Sequence, residues 1–173
     1  MTEAYGLLPA DWAALCKEAG LPAFRAKQIL QGLYRDRIGA WAELTTLSAD
    51  LRARLDGLAP LTLPREVTRT PSGPDGVVKY LLEMADGERV ETVWIPADGR
   101  VTQCVSSQVG CAMHCAFCAS GQLGCVRSLT AAEIVGEVMA LARAQGRYPN
   151  NIVVMGMGEP FMNYDAVLRA LRV

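Results

Sequence analysis

Apolar and polar residues recur along this chain with two different periods, and the change of period divides it. From Leu8 to about Leu58 the period is helical. Pro9, Ala10 and Asp11 open a first segment, Trp12 to Glu18, which stops near Gly20. Pro22 leads into a second, Phe24 to Tyr34. Its apolar positions 26, 29, 30, 33 and 34 follow the spacing of an amphipathic helix. Ser48 is placed to cap a third, Ala49 to Leu55. Leu61 to Thr70 is flanked by prolines and rich in β-branched residues, and Pro71 to Gly76 is a turn cluster. Val77 to Met84 and Arg89 to Ile95 read as two strands joined by a tight turn at Ala85-Asp86-Gly87.

The style changes again at Val101. A short strand, Val101 to Ser106, runs into a cysteine- and glycine-rich loop at 107–125. Thr130, with Glu133 at the capping-box position, opens a long helix to about Ala144. After a turn at Arg147 to Asn150, residues 151–158 form a continuous apolar run ending in glycines. That is the pattern of a strand buried on both faces of a parallel sheet. Another helix begins at Asn163 or Tyr164. Strand, loop, helix, strand, loop, helix is the beginning of a β/α barrel or open parallel sheet. Two such units cannot close a barrel, so the chain reads as cut off within its last helix. The expected fold is α/β. A helical module at 1–60, a β-hairpin extension at 61–98 and the first β/α units of an incomplete barrel at 99–173 follow one another.

Composition narrows the class. With 51% hydrophobic and 20% charged residues the chain can bury a core. No apolar run approaches the roughly 18 residues a membrane span needs. Met1 to Leu8 carries an acid and lacks the basic-then-apolar layout of a secretory signal. A soluble, cytoplasmic protein with no membrane partner is expected. The net charge of −1 gives no global field toward nucleic acid. Phe24 to Arg69 holds eight basic against five acidic residues. That mild excess fits an RNA-facing module, although a solvated helical surface is the simpler reading of charge alone.

The chemistry lies in the cysteines. Five of six fall between Cys104 and Cys125, a clustering that argues for metal or redox chemistry over disulfides in a reducing compartment. Cys111, Cys115 and Cys118 have the spacing C-x3-C-x2-C. Three thiolates on one loop can hold three irons of a cubane cluster and leave the fourth open to a ligand, whereas a cluster used only for electron transfer normally has four cysteines. A structural zinc site is the alternative. It wants four ligands in two short-spaced pairs, and neither Cys104, Cys125 nor His114 completes that pattern. Further along, Gly156-Met157-Gly158-Glu159-Pro160 puts a glycine and a carboxylate at the C-terminal end of a strand, where β/α folds place their sites. Gly158 would let a ligand approach the backbone. Glu159 would accept hydrogen bonds from a ligand ammonium, or simply cap the next turn.

The spacing, with an aromatic before the last cysteine, matches the signature of the radical S-adenosylmethionine superfamily. Longer segments resemble the RlmN/Cfr family of RNA adenine methyltransferases: Cys104 to Cys111, Cys115 and Cys118, Gly121 to Gly124, and Met155 to Pro160. Glu91 to Pro96 and Phe24 to Ile29 resemble its upstream strand and its N-terminal helical domain. The resemblance implies a partial radical S-adenosylmethionine barrel, a 4Fe-4S cluster on Cys111, Cys115 and Cys118, and S-adenosylmethionine held partly by Gly158 and Glu159. It implies methylation of C2 of an adenine in 23S rRNA, with tRNA as a second substrate. A cysteine of the enzyme is methylated first. A deoxyadenosyl radical activates that methyl, and the carbon adds to the adenine. A second cysteine then releases the product through a disulfide while a base removes the ring proton. Cys104 matches the resolving cysteine and Glu91 the proton acceptor. By its residues alone Cys104 has a small buried strand residue as its lesser reading, whereas Glu91 reads first as a solvent-facing strand residue. A flavodoxin or ferredoxin is the implied reductant.

Some features depart. The methyl-carrying cysteine of the family lies beyond Val173, so the isolated chain is expected to be inactive. Cys125 stands where an aromatic is expected and Ser128 where asparagine is common. Cys16 reads as core. Two other functions stay open: C8 methylation of the same adenine, and a non-catalytic, zinc-stapled RNA-binding module.

Overall fold

The computed structural model describes residues 3–122 and 124–173. Met1 and Thr2, and Leu123 within the Gly121 to Gly124 segment, lie outside the described residues. The helical period at the N-terminus becomes three helices. Helix α1, Pro9–Glu18, starts where the Asp11 carboxylate accepts from the Leu8 amide at 2.9 Å. Helix α2, Phe24–Leu30, continues into a π-turn at Gln31–Arg35. Helix α3, Ala49–Leu58, is capped by Ser48, whose hydroxyl accepts from Leu51 N. Their apolar stripes meet around Trp12, Ile29, Leu33 and Leu55, all nearly inaccessible to solvent. The Trp12 and Trp41 rings meet edge-on at 5.9 Å, and the Trp41 indole donates to the Ala59 carbonyl at 3.0 Å.

Strands β1, Arg65–Ser72, β2, Val77–Glu83, and β3, Arg89–Ala97, form an antiparallel meander that continues into β4, Arg100–Cys104. The hairpin strands and β4 therefore belong to one sheet. A separate two-stranded ribbon pairs β5, Gln108–Gly110, with β6, Cys125–Ser128, and the short helix α4, Ala119–Gln122, lies between them. Helix α5, Ala131–Ala144, crosses over to β7, Asn151–Val153, which lies parallel to β4, and α6, Tyr164–Arg172, follows. The sheet order is β1-β2-β3-β4-β7.

Helix α5 is the keystone. Ala132, Val135 and Met139 join the core of the N-terminal helices, while Ile134 and Leu141 pack under the sheet against Trp94, Val101 and Val105. A helix buried on two sides must be apolar nearly all round, as its sequence is. The strands alternate accordingly. Val90, Thr92 and Trp94 of β3 and Val101 and Gln103 of β4 are buried, and the intervening residues, Glu91, Val93, Thr102 and Cys104, are only partly so.

Two expectations need correction. The run 151–158 is not a long strand buried on both faces. Only Asn151–Val153 are paired, and Ile152 is exposed, because β7 is the last strand of the sheet and has one neighbour. The cysteine loop does not span 107–125 unpaired, because its ends are zipped by β5 and β6.

Candidate active site

The cysteine loop is closed at its base. Gly110 opposes Cys125 across the ribbon, and Cys111 N donates to Gly124 O at 2.8 Å. Inside, Cys118 N donates to Cys115 O at 3.0 Å, and Gly121 N to Cys118 O at 3.2 Å. His114, in a left-handed conformation, has its ring Nδ1 3.0 Å from the Gly121 carbonyl, so it ties the loop to itself. Gly121 is required there, since a Cβ would stand 3.1 Å from Cys115 N. The outer loop is open to solvent, with Phe117 94% exposed. All six cysteines are free; Cys111 is buried, and Cys115 and Cys118 are half-buried. Among the described residues no group of three or more His, Cys, Asp or Glu side chains is gathered closely enough to hold a metal ion. What the fold fixes is the base of the loop, where Cys111 lies, while Cys115 and Cys118 sit further out beside the exposed Met113 and Phe117.

The strand ends converge beside that base. Glu91 and Cys104 lie on neighbouring strands and on the same face, away from α5, with Cys104 opposite Val93. Lys79 Nζ lies 2.7 Å from Glu91 Oε1, an ion pair between β2 and β3. The Cys104 thiol is pushed up by burial and by the nearby Glu137 carboxylate, and a backbone hydrogen bond at Met155 partly offsets this.

The glycine–glutamate segment after β7 lies against the root of the loop. Ser107 N and Gln108 N both donate to Met157 O, at 2.8 and 3.2 Å, and Glu159 N donates to the Gln108 side chain at 3.0 Å. Gly158, at φ +97°, has no room for a Cβ, which would come within 2.7 Å of Gln108 N. Its immediate reason is therefore this chain-on-chain contact. Glu159 Oε1 accepts from Phe161 N at 3.0 Å, so the carboxylate caps the short turn that follows. Asn163 binds the whole together, donating to the carbonyls of Ser107 and Leu129 at 2.8 Å each. Sequence alone assigns no site role to Asn163, Gln108 or Ser106. Their polarity beside the cysteine loop was the available signal.

A concavity of about 580 Å³ lies elsewhere, between the start of α5 and the N-terminal residues. Its arginines, Arg127 and Arg169, are already paired with acids, and no cysteine lines it.

A sheet whose β4-α5-β7 crossover carries a C-x3-C-x2-C loop at one end and a glycine–glutamate segment beside it defines a radical S-adenosylmethionine domain. Residues 105–173 match the model of the radical SAM superfamily, and residues 5–61 match that of the ribosomal RNA large subunit methyltransferase N-terminal domain. A dual-specificity RNA methyltransferase RlmN of Rhodospirillum rubrum is 43% identical over 97% of this chain and 41% of its own length. A probable dual-specificity RNA methyltransferase RlmN of Gloeobacter violaceus is 46% identical over 89% of this chain and 44% of its own. The crystal structure of a radical SAM methyltransferase from Sphaerobacter thermophilus superposes with a TM-score of 0.92 at 41% identity, over 100% of this chain and 52% of that one. The chain belongs to the RlmN family of radical SAM enzymes. It spans about half the length of the curated relatives it matches.

Membership implies a 4Fe-4S cluster and S-adenosylmethionine as cofactors. The residue types present suit them. Three free thiols sit on one loop anchored at both ends, and a carboxylate and backbone groups at the end of a parallel strand border that anchor. No helix among the described residues is long and apolar enough to cross a membrane.

Proposed function

We propose that this chain is the N-terminal part of an enzyme that methylates C2 of an adenine in 23S rRNA, with tRNA as a second substrate. The observation that carries the reading is the placement of Glu91 and Cys104 on one face of the sheet, beside the anchored cysteine loop. Cys111, Cys115 and Cys118 would hold the cluster. The Gly158–Glu159 segment would hold S-adenosylmethionine, Glu159 accepting from its ammonium through the oxygen that Phe161 does not engage. When bound, these groups supply one-electron reduction and the methyl carbon. An electron-transfer protein such as a flavodoxin or ferredoxin would deliver the electron.

Glu91 would take the proton from the methylated ring carbon, with Lys79 fixing the direction of its carboxylate. Cys104 would be the resolving thiol and end in a disulfide with the methyl-carrying cysteine. It attacks as the thiolate, a form that burial disfavours. The helical module at 1–60, with Lys27, Arg35 and Arg54 exposed, would face the RNA.

The test uses the full-length enzyme, reconstituted anaerobically and incubated with 23S rRNA fragments and with tRNA. Electron paramagnetic resonance with and without S-adenosylmethionine is followed by mass spectrometry of the nucleosides. A cubane signal that shifts with cofactor, together with 2-methyladenosine, is expected. Glu91→Ala should retain the signal and lose at least about a hundredfold in product formation. Formation of 8-methyladenosine would transfer the assignment to the other ring carbon. Stoichiometric zinc without iron in a folded sample would overturn the radical reading.

A further inference from the structure

Beneath the site, in the apolar layer between α5 and the sheet, stands a chain of polar side chains with no place in the chemistry above. Thr92, Gln103, Ser106 and Glu137 are all essentially inaccessible to solvent. Both carboxylate oxygens of Glu137 face the Ser106 amide, at 3.2 and 3.1 Å. Ser106 Oγ donates to the Glu91 carbonyl at 2.7 Å and accepts from Met157 N at 2.9 Å. The backbone carbonyl of Glu137 accepts from the Gln103 amide at 3.0 Å, which also donates to Thr92 Oγ1 at 3.0 Å. Thr92 Oγ1 in turn donates to the Cys104 carbonyl at 2.7 Å. The Glu137 side chain meets the Ser106 amide and its carbonyl meets Gln103, and from there Ser106 Oγ and Thr92 Oγ1 carry the links to the backbone of Glu91, Met157 and Cys104.

Packing does not require this arrangement. The core between α5 and the sheet includes Trp94, Val101, Val105, Ile134 and Leu141, so an apolar side chain at 137 would suit that layer. Burying a carboxylate is costly, and its hydrogen bonds only partly offset this. Burial accordingly pushes the Glu137 carboxyl well above the usual carboxylate range, and the Ser106 hydrogen bond opposes the shift. What such a buried network provides is a single geometry, although Gln103 Oε1 in it has no partner among the described residues. Room has been left for it, because a Cβ on Gly156 would stand 2.7 Å from Ser106 Oγ.

We infer that Glu137 is a positioning residue: through Ser106 it holds the strands carrying Glu91 and Cys104 in register with the Gly158–Glu159 segment. The inference rests on the roles proposed above for those residues, and its test separates the two. In the cluster-free, full-length protein, hydrogen–deuterium exchange is compared for wild type, Glu137→Gln, Glu137→Leu and Ser106→Ala. The alkylation rate of the Cys104 thiol is read in parallel. Glu137→Leu and Ser106→Ala should each raise exchange at 104–108 and 155–159 by about tenfold, and speed alkylation, while 9–58 is unchanged. Glu137→Gln, whose amide oxygen still accepts from Ser106 N, should stay within about twofold of wild type. In the loaded enzyme, Glu137→Leu should lower methyl groups transferred per cofactor cleaved, a ratio that a simple loss of folded protein leaves alone.

Unchanged exchange at both segments in Glu137→Leu would overturn the inference, as would a rise spread equally over 9–58. Glu137→Gln as disruptive as Glu137→Leu would also overturn it, because the charge would then matter rather than the hydrogen bonds. If Glu137→Leu does not fold, Glu137→Ala decides by the same local exchange, because Ser106→Ala keeps the amide that Glu137 accepts from and tests only the hydroxyl links. If wild type transfers no methyl group, the proposed function fails, and the exchange measurement still judges Glu137.

Discussion

Gly110 shows how one atom governs the cysteine loop. Its φ is +75°, and a Cβ there would lie 1.8 Å from the Gly124 carbonyl oxygen, the acceptor for Cys111 N. No side-chain movement relieves a clash between a Cβ and a backbone oxygen. Gly110→Ala must therefore open the base of the loop. Gly99 is the natural control: it has the same φ of +75° in the turn between β3 and β4, but a Cβ there would meet nothing within 4 Å. Gly99→Ala should cost only the left-handed strain, about 1–2 kcal/mol, and leave cluster loading alone. Gly110→Ala should lose most of its bound iron after reconstitution while the helical signal in circular dichroism persists. Iron per folded chain in the two variants, side by side, distinguishes strain from loop opening. Normal iron loading of Gly110→Ala would show that the ribbon closure is dispensable.

At the level of elements, α5 was the most legible piece of the chain. Thr130 and Glu133 form the capping box their spacing predicts: Glu133 N donates to Thr130 Oγ1 at 3.1 Å, and Thr130 N to Glu133 Oε2 at 2.8 Å. Thr130→Ala should cost about 1 kcal/mol and Thr130→Ser much less. The shift in urea midpoint at unchanged slope would measure both, and equal losses would mean that the hydroxyl does not carry the cap. Helix α2 and the β2–β3 hairpin were readable for the same reason, since their signals are local. The β5–β6 ribbon was not. Gln108 meets Ser128 only after the cysteine loop has folded back, and nothing within either short segment announces the pairing. Strand β1 runs through Pro71, which reads as a turn residue but is tolerated because β1 is an edge strand. Glu137 was missed for another reason. It follows Glu133 by one helical turn and so suggests an exposed acidic stripe, yet it is the only charge between Glu133 and Arg143 in an otherwise apolar run. The three cluster cysteines were readable as a spacing, whereas the anchoring of their loop by Gln108, Asn163 and the ribbon belongs to the tertiary structure.

Among the described residues, one edge of the sheet beside β7 is uncovered. Strand β7 has a single neighbour, and beyond it Phe161, Tyr164 and Leu171 are exposed at 80%, 54% and 63%. They border an apolar groove of about 260 Å³ that Val154 and Leu168 complete, with the Phe161 and Tyr164 rings stacked 6.5 Å apart. An unpaired strand edge beside such a patch favours association with any similar surface. Covering each large side chain is worth about 1.5–3 kcal/mol when complete, so a few suffice for micromolar self-association. The 173-residue chain on its own should therefore form dimers or larger species in sedimentation velocity at micromolar concentration. The double variant Phe161→Glu, Leu171→Glu should sediment as a monomer. Phe24, 60% exposed on the helical module and partnered there by the Arg25 guanidinium at 4.8 Å, supplies the control. Phe24→Glu should leave association unchanged if the β7–α6 face drives it. Should Phe24→Glu dissolve the oligomer while the double variant does not, the sticky surface is the helical module, and the open edge of the sheet is already protected by its own twist and the short length of β7.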